Sequence, residues 1–489
     1  MTTHTDKTSI PSPRTLSRIA LPSQSPSRTI PAHGVVVGSG LAGLTSALLL
    51  AREGLKVTVL EKAPQAGGRA TSTHDHDFWM NLGPRAVYAQ GHAHKTLLAL
   101  DVPVVGRKPP TSGLKAYHGG RLHTLPAGVG SFLSTGLLPF SAKIEALGLL
   151  PRLPGMDAEA LRGRSVADWL GQTVRHPALR EYLEAVIRVN TYVSAPALLD
   201  AQVALSQLQH SLKHGVLYVD GGWQSLVDGL TARCQALGVE ILTGARVKAL
   251  TRRQAGGYDM MLASGAPLAA DAVVLAVEPG LVQALEQTLV QERSGASVPV
   301  EERTPAVHAA CLDLALKTLP NPKLPFVLGV DQPLYLSVHS LTAKLHPEGG
   351  AVVHLMKYLT PGQKSDPHAE QQQLEQLMDV AQPGWRELVV ERRFLPHMTV
   401  MHGLPTVTSG GLLGRPGVAV PGQPGLFQAG DWVGAEGLLL DGAIASATSA
   451  AQAVLSWTQA VRAVHADAQM DLLDQHAPLL SLQPIRSSA

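Results

Sequence analysis

The sequence predicts an α/β fold in which a Rossmann-like parallel sheet is interleaved with an α+β domain. Three observations predict it. Residues 33–61 read as strand, glycine turn, helix and strand, closed by an acid. Residues 425–442 hold another apolar strand that ends in Gly430 and Asp431 before a long helix. Between these blocks the chain makes one helical and one strand-rich excursion. At 489 residues it also exceeds a single simple core, and two domains follow from size.

The first unit carries the most information. A strand over 34–37 turns at Gly38-Ser39-Gly40-Leu41-Ala42-Gly43, a G-x-G-x-x-G in the context that the motif requires. Gly38 turns the chain, Gly40 admits a pyrophosphate to the backbone, and Gly43 lets the helix over 41–52 sit close on the strand. The free N–H groups at that helix start favour an anion. After Gly54 a strand over 56–60 ends in Glu61, spaced to accept from the hydroxyls of an adenosine ribose. Nothing basic replaces Glu61, which disfavours a 2′-phosphate there. The plain alternative is a glycine-rich turn with no ligand.

Further along, residues 114–125 alternate polar and apolar around Gly119-Gly120 and predict a hairpin. Residues 132–212 read as helices broken at prolines, with Ser165 as an N-cap and amphipathic stretches over 179–188 and 197–212. Leu137, Leu138, Phe140, Ile144, Leu147, Leu149 and Leu150 have the period of a core helix, which also suits peripheral membrane contact. At Asp220-Gly221-Gly222 the chain returns to the first domain, with a helix to Ala236, a strand over 238–242 and a buried-type strand over 270–277. The second excursion, 298–416, predicts strands over 306–315, 334–340, 350–358 and 389–395 and a helix over 368–381. The expected boundaries are 1–30 for a disordered tail; 31–100, 215–290 and 417–465 for the cofactor domain; and 101–214 and 291–416 for the substrate domain. A C-terminal tail over 466–489 holds one short helix, 467–473.

Composition excludes some functions. A net charge of +2, with no basic run interleaved with aromatics, gives no case for nucleic acid. The two cysteines, Cys234 and Cys311, make neither a metal spacing nor a disulfide framework and suit the cytoplasm. No apolar run approaches the roughly 18 residues that span a bilayer. The first thirty residues are rich in Ser, Thr and Pro and hold a single acid, Asp6. A transit peptide shares that composition, but Pro11, Pro13, Pro22, Pro26 and the following Pro31 break every amphipathic window.

Past Glu61 and Lys62 come Gly67, Gly68 and Arg69. With this stretch, Gly83-Pro84-Arg85 and Gly430-Asp431, the sequence resembles the flavoproteins that include flavin amine oxidases, protoporphyrinogen oxidases and phytoene-desaturase-like enzymes. The resemblance covers 32–457 and implies a glutathione-reductase-like FAD-binding domain. It places Gly67, Gly68 and Arg69 beside the FAD pyrophosphate and flavin, and Gly83, Pro84 and Arg85 at the flavin face. It pairs the backbone of Val247 with the adenine edge and lets Asp431 accept from a hydroxyl. It points the helix starting at Gly442 and Ala443 at the flavin pyrimidine, where negative charge arrives with a hydride. FAD is therefore the expected cofactor, bound non-covalently, because neither cysteine lies in the C-terminal cofactor segment.

The catalytic expectation rests on Lys357, His339 and Tyr335, with His397 and His402 as further candidates. A lysine linked through water to flavin N5 is common among the amine oxidases that the sequence resembles; a solvated strand lysine is the plain alternative to that role for Lys357. The first functional reading is an FAD-dependent dehydrogenase, oxidase or desaturase. It would take a hydride from a mostly apolar, lipophilic small molecule to flavin N5, with O2 or a quinone as acceptor. A flavin amine oxidase acting on a small amine or polyamine is the second reading, and a flavin-binding protein without turnover is the third. Substrate identity and oligomeric state are not readable from the sequence.

Overall fold

Five strands stand side by side, all parallel, in the order Glu240–Leu242, Lys56–Leu60, His33–Val37, Ala272–Leu275 and Leu426–Gln428. These belong to a computed structural model that describes residues 32–254, 256–294, 304–346 and 349–475. The tail read over 1–30 and the end of the chain past residue 475 lie outside the described residues. The strands are short valine-rich runs because both faces of the sheet are covered. Val36 and Val59 pack under the helices Leu41–Arg52, Gln224–Ala236 and Leu439–Gln475, through Leu44, Leu48, Leu226 and Ile444. Val35, Val37 and Leu60 face the other way, onto an antiparallel ribbon and the helix Pro279–Ser294. That ribbon, Val247–Arg252, Tyr258–Leu262 and Pro267–Ala270, is absent from the sequence reading, which carries only the strand after it.

A second sheet has seven strands, in the order Val389–Met401, Val307–Leu316, Ala351–Tyr358, Leu334–Val338, Phe326–Gly329, Leu114–His118 and Arg121–Thr124. The 114–125 hairpin forms as expected, turning on Gly119 and Gly120, both at positive φ. Leu312 and Leu314 face the helix Pro367–Ala381. Ala309 and Cys311, on the opposite pleat, face the helices Val166–Thr173, Pro177–Thr191 and Ala201–His214. Ser165 caps the first of these by accepting from the N–H of Asp168 at 3.0 Å.

Three expectations change. The short helix over 467–473 is the end of the single long helix Leu439–Gln475. His339 does not lie on a strand, because Leu334–Val338 ends before it and a 3-10 turn, His339–Leu341, begins there. The apolar stripe over 137–150 divides. Leu137 and Leu138 are buried, but Phe140, Ile144 and Leu147 on the helix Phe140–Leu149 are 79%, 55% and 56% exposed, so this face is not core. No helix among the described residues is long and apolar enough to cross a membrane.

The joint between the first strand and helix tolerates no side chain. A Cβ on Gly43 would lie 1.9 Å from the carbonyl oxygen of Gly38 and 3.2 Å from Ala276 Cβ. Gly43→Ala is therefore expected to destabilise the protein by about 1–3 kcal/mol, the usual cost of overpacking, read as a lower melting temperature with and without added FAD.

Candidate functional site

A cavity of about 440 Å³ opens at the carboxyl ends of the parallel strands. Gly38, Gly40, Leu41 and Ala42 form one edge, and Gly67 and Gly68 run across from them. The helix Leu41–Arg52 begins at Gly40 with no side-chain cap, so its first N–H groups have no partner in the helix. A Cβ on Gly40 would meet only the Gly67 carbonyl, at 4.0 Å. The space before the helix is open, as anion binding at a helix start needs. Glu61 lines the same edge. Its Oε2 accepts from the Ser39 N–H at 2.9 Å and from Ser39 Oγ at 2.7 Å, and its Oε1 accepts from the Ala63 N–H at 2.8 Å. A carboxylate has about four acceptor positions, so capacity is left over for a ribose hydroxyl.

The far end is built around a charge pair. Arg69 Nη1 donates to Asp431 Oδ2 at 2.9 Å and to the Val400 carbonyl at 3.0 Å. His402 Nδ1 lies 3.1 Å from Asp431 Oδ1. Burial alone would raise the Asp431 carboxyl, but the Arg69 guanidinium and His402 outweigh it and hold the group well below the usual carboxylate range. The first turn of the long helix borders the cavity through Leu440 and Ala443. Gly442 is one step removed: a Cβ there would come within 2.9 Å of the Gly437 carbonyl, to which Arg415 donates at 2.8 Å. Asp441 turns away, accepting from the Ala93 N–H at 2.7 Å.

The remaining wall is a turn and its neighbours. Leu82, Pro84 and Arg85 line the cavity, opposite Tyr192, Trp223 and Met398. Gly83 itself points away, its φ of +70° set in a turn packed against Met398 and Cys311. Arg85 Nε donates to the Leu82 carbonyl at 3.2 Å, and its guanidinium lies 5.3 Å from the centre of the Trp223 ring. Among the described residues no carboxylate lies within ion-pair distance of Arg85. Burial first, then Arg69, bring its pKa down to about 10.

The sequence-based candidates separate accordingly. Gly38, Gly40, Leu41, Ala42, Glu61, Lys62, Gly67, Gly68, Arg69, Pro84, Arg85, Gly430, Asp431 and Ala443 all meet at the cavity, and His402 joins them. Gly43, Gly83 and Gly442 support the turns behind it, and Val247 is buried at the start of the ribbon. None of the three expected catalytic residues lines the cavity. Met356 and Tyr358 face the helical layer, so Lys357 between them faces the side of Leu355 and the helix Pro367–Ala381. His339 is buried, stacked on Tyr218 at 3.7 Å, and burial first, then His354, keep its pKa well below the ordinary value. Tyr335 donates to Ser337 Oγ at 2.8 Å. His397 stacks on His308 at 3.8 Å. Tyr192 and Trp223 were missed: each is a lone aromatic at a helix end, with no local pattern to single it out.

A parallel sheet with an uncapped glycine-bounded helix start, an acid just after the next strand and a remote Gly-Asp closing the cavity is the arrangement of an FAD-dependent oxidoreductase fold. The chain belongs to the family of flavin containing amine oxidoreductases, whose model matches residues 41–455. L-amino acid oxidase Cdc18 of Crotalus durissus cumanensis is 48% identical over 54 residues, 11% of each chain. Phytoene desaturase of Fusarium fujikuroi is 26% identical over 278 residues, 49% of this chain and 48% of that one. The chain thus spans about a tenth and about half of these curated relatives. In structure it resembles cyclohexylamine oxidase from Brevibacterium oxydans IH-35A, with a TM-score of 0.63 and 15% identity over 88% of this chain and all of that one, a likeness of fold.

Two outcomes follow from the geometry. Gly40→Val is expected to fold, to melt like the FAD-free parent and to purify without yellow colour, since a Cβ there enters the open space before the helix. Asp431→Asn is expected to flatten the acid limb of stability. A carboxyl depressed in the folded state stabilises above its unfolded pKa and loses that contribution as pH falls, so the variant should show a shallower loss between about pH 5 and 3 in urea unfolding.

Proposed function

We propose that this protein is an FAD-dependent amine oxidoreductase that removes a hydride from a carbon bearing an amine nitrogen, in a small substrate that also carries an anionic group. Arg85 is the observation that carries this reading. A half-buried guanidinium on the cavity wall, with no described carboxylate within ion-pair distance, is stabilised by an anionic ligand in the cavity. Family membership and the amino acid oxidase match support the amine over the apolar substrate that the sequence reading placed first.

The residues present fit FAD, held non-covalently. The open helix start at Gly40 takes the pyrophosphate, Glu61 the adenosine ribose, and Gly430 and Asp431 the far end. Neither thiol is suited to attachment: both cysteines are buried and free, and burial raises both pKa values, that of Cys234 to about 12. FAD, when bound, supplies the hydride acceptor. The chain supplies binding and orientation. Arg85 holds the anionic end of the substrate, and Trp223 and Met398 exclude water around it. Tyr192, whose phenol burial keeps protonated, offers a neutral donor. Electrons leave to O2 or a quinone. We assign cofactor binding to 31–100, 215–290 and 417–465, and the substrate wall to 101–214 and 291–416.

A desaturase-type reaction on an apolar substrate is the second reading, favoured by the longer phytoene desaturase match and by the apolar wall of Leu82, Met398, Val400 and Leu439. Anaerobic addition of amino acids, neutral amines and isoprenoids, followed by bleaching of the flavin absorbance, separates the two. Bleaching by amino acids is expected, and bleaching by isoprenoids alone overturns the amine reading. If nothing but dithionite bleaches the flavin, the protein binds FAD without turnover. Arg85→Gln is expected to raise KM for a carboxylate-bearing amine by about 100-fold and to leave a neutral amine nearly unaffected.

A further inference from the structure

Behind the cavity wall lies a second buried charge cluster that the proposed reaction does not use. Asp313, on the strand Val307–Leu316, is fully buried. Its Oδ1 lies 2.6 Å from His354 Nδ1, on the neighbouring strand. Its Oδ2 accepts from Arg393 Nη2 at 2.8 Å and Nε at 3.2 Å, and from the N–H of Gly83 at 3.1 Å. Arg393 also donates to the carbonyl of Asn81. Asn81 in turn accepts from the Trp223 N–H at 2.8 Å through its side chain. Three strands of the substrate sheet therefore grip the turn that carries Arg85, from behind and at two points of its backbone.

We propose that Asp313 is a positioning residue, which acts through the Gly83 N–H and the Arg393-bound Asn81 carbonyl to set Arg85 as the anion subsite of the cavity. Each link is a contact in the structure. Asp313 fixes Gly83; the turn fixes the Leu82 carbonyl; the Leu82 carbonyl receives Arg85 Nε. The turn has no slack, because a Cβ on Gly83 would meet Met398 Sδ at 2.9 Å and Cys311 Sγ at 3.0 Å. Burial opposes charge on Asp313, but His354 and Arg393 hold its carboxyl below the ordinary value, so the anchor stays ionised. An ionised acceptor makes the stronger bond to a peptide N–H. Asp313 does not line the cavity, so its effect on a ligand passes through the turn of Leu82, Pro84 and Arg85 that does.

This inference rests on the reading of Arg85 given above, and the test separates the two. The probe is benzoate, whose dissociation constant is read from the shift it causes in the visible spectrum of the FAD-loaded protein, without turnover. The parent, Arg85→Gln, Asp313→Asn and the double variant are compared, with FAD affinity and melting temperature measured for each. Asp313→Asn is expected to weaken benzoate by about tenfold while FAD affinity changes by less than about twofold, and the double variant is expected to bind no more weakly than Arg85→Gln alone. A purely structural role for Asp313 would instead lower the melting temperature and FAD affinity and add its loss to that of Arg85→Gln, which overturns the proposal. Unchanged benzoate binding in Asp313→Asn overturns it as well. If Arg85→Gln itself leaves benzoate unaffected, the anion subsite is wrong and the inference falls with it. Should Asp313→Asn not fold, His354→Leu keeps Asp313 paired with Arg393 and removes one anchor; it is expected to weaken benzoate by a smaller factor, again non-additively with Arg85→Gln, and additivity there overturns the proposal.

Discussion

Arg69 and Asp431 are 362 residues apart in sequence and 2.9 Å apart in space. Much of the site depends on that pair. Asp431 follows the last parallel strand, and Arg69 follows the glycine pair that crosses the first helix start, so the ion pair joins the two ends of the cavity. Through the Val400 carbonyl, Arg69 also holds the longest strand of the substrate sheet. The cavity and that sheet thus meet at one guanidinium. The carboxylate is buried and its cation is partly solvated, with 37% of the Arg69 side chain exposed, which limits the desolvation cost of the pair.

The chain solves the same electrostatic problem twice. Asp431 is compensated by one arginine and one histidine, and so is Asp313. Each aspartate lies at a place where backbone from different parts of the chain must be held in register. A buried carboxylate suits that purpose because it accepts from several directions, provided that enough positive charge surrounds it. Arg85 differs: on the cavity wall it meets a carbonyl, a thioether and an aromatic face, and no described carboxylate lies within ion-pair distance.

The glycine-lined half of the cavity is legible in the sequence because its pattern is local. Gly38, Gly40 and Gly43 act within one turn of each other, Glu61 ends the adjacent strand, and Gly430 and Asp431 precede a recognisable helix. The substrate half is not local. Lys357 shows why: alternation along 350–358 tells which residues share a face, but only the packing of the helix Pro367–Ala381 decides that the face of Lys357 looks away from the cavity. Tyr192 and Trp223 reach the wall only because distant elements place the ends of their helices there. The Asp313 network joins residues from separate segments, and Asp313, His354 and Arg393 stand in no pattern that singles them out. The exposed Phe140, Ile144 and Leu147 make the converse point, since their period is that of a core helix and nothing in it reveals that no element covers them.

Arg85 stands between these two cases. Its expected place at the flavin face rests on resemblance to known flavoproteins, but that no described carboxylate lies within ion-pair distance of it is visible only in three dimensions. That lack weighs on the choice of substrate. An apolar alkene entering the cavity would displace water from the guanidinium and offer nothing in return, so its binding would carry the desolvation cost of an unpaired charge. A substrate with a carboxylate replaces that water with a charge-assisted hydrogen bond in a region where such bonds are strong. Around Arg85, the same apolar wall of Leu82, Met398 and Val400 would then exclude water from the pair. On the proposed reading the anionic amine is therefore favoured, and the apolar surroundings that suggest a hydrocarbon substrate would sharpen the selection made by Arg85.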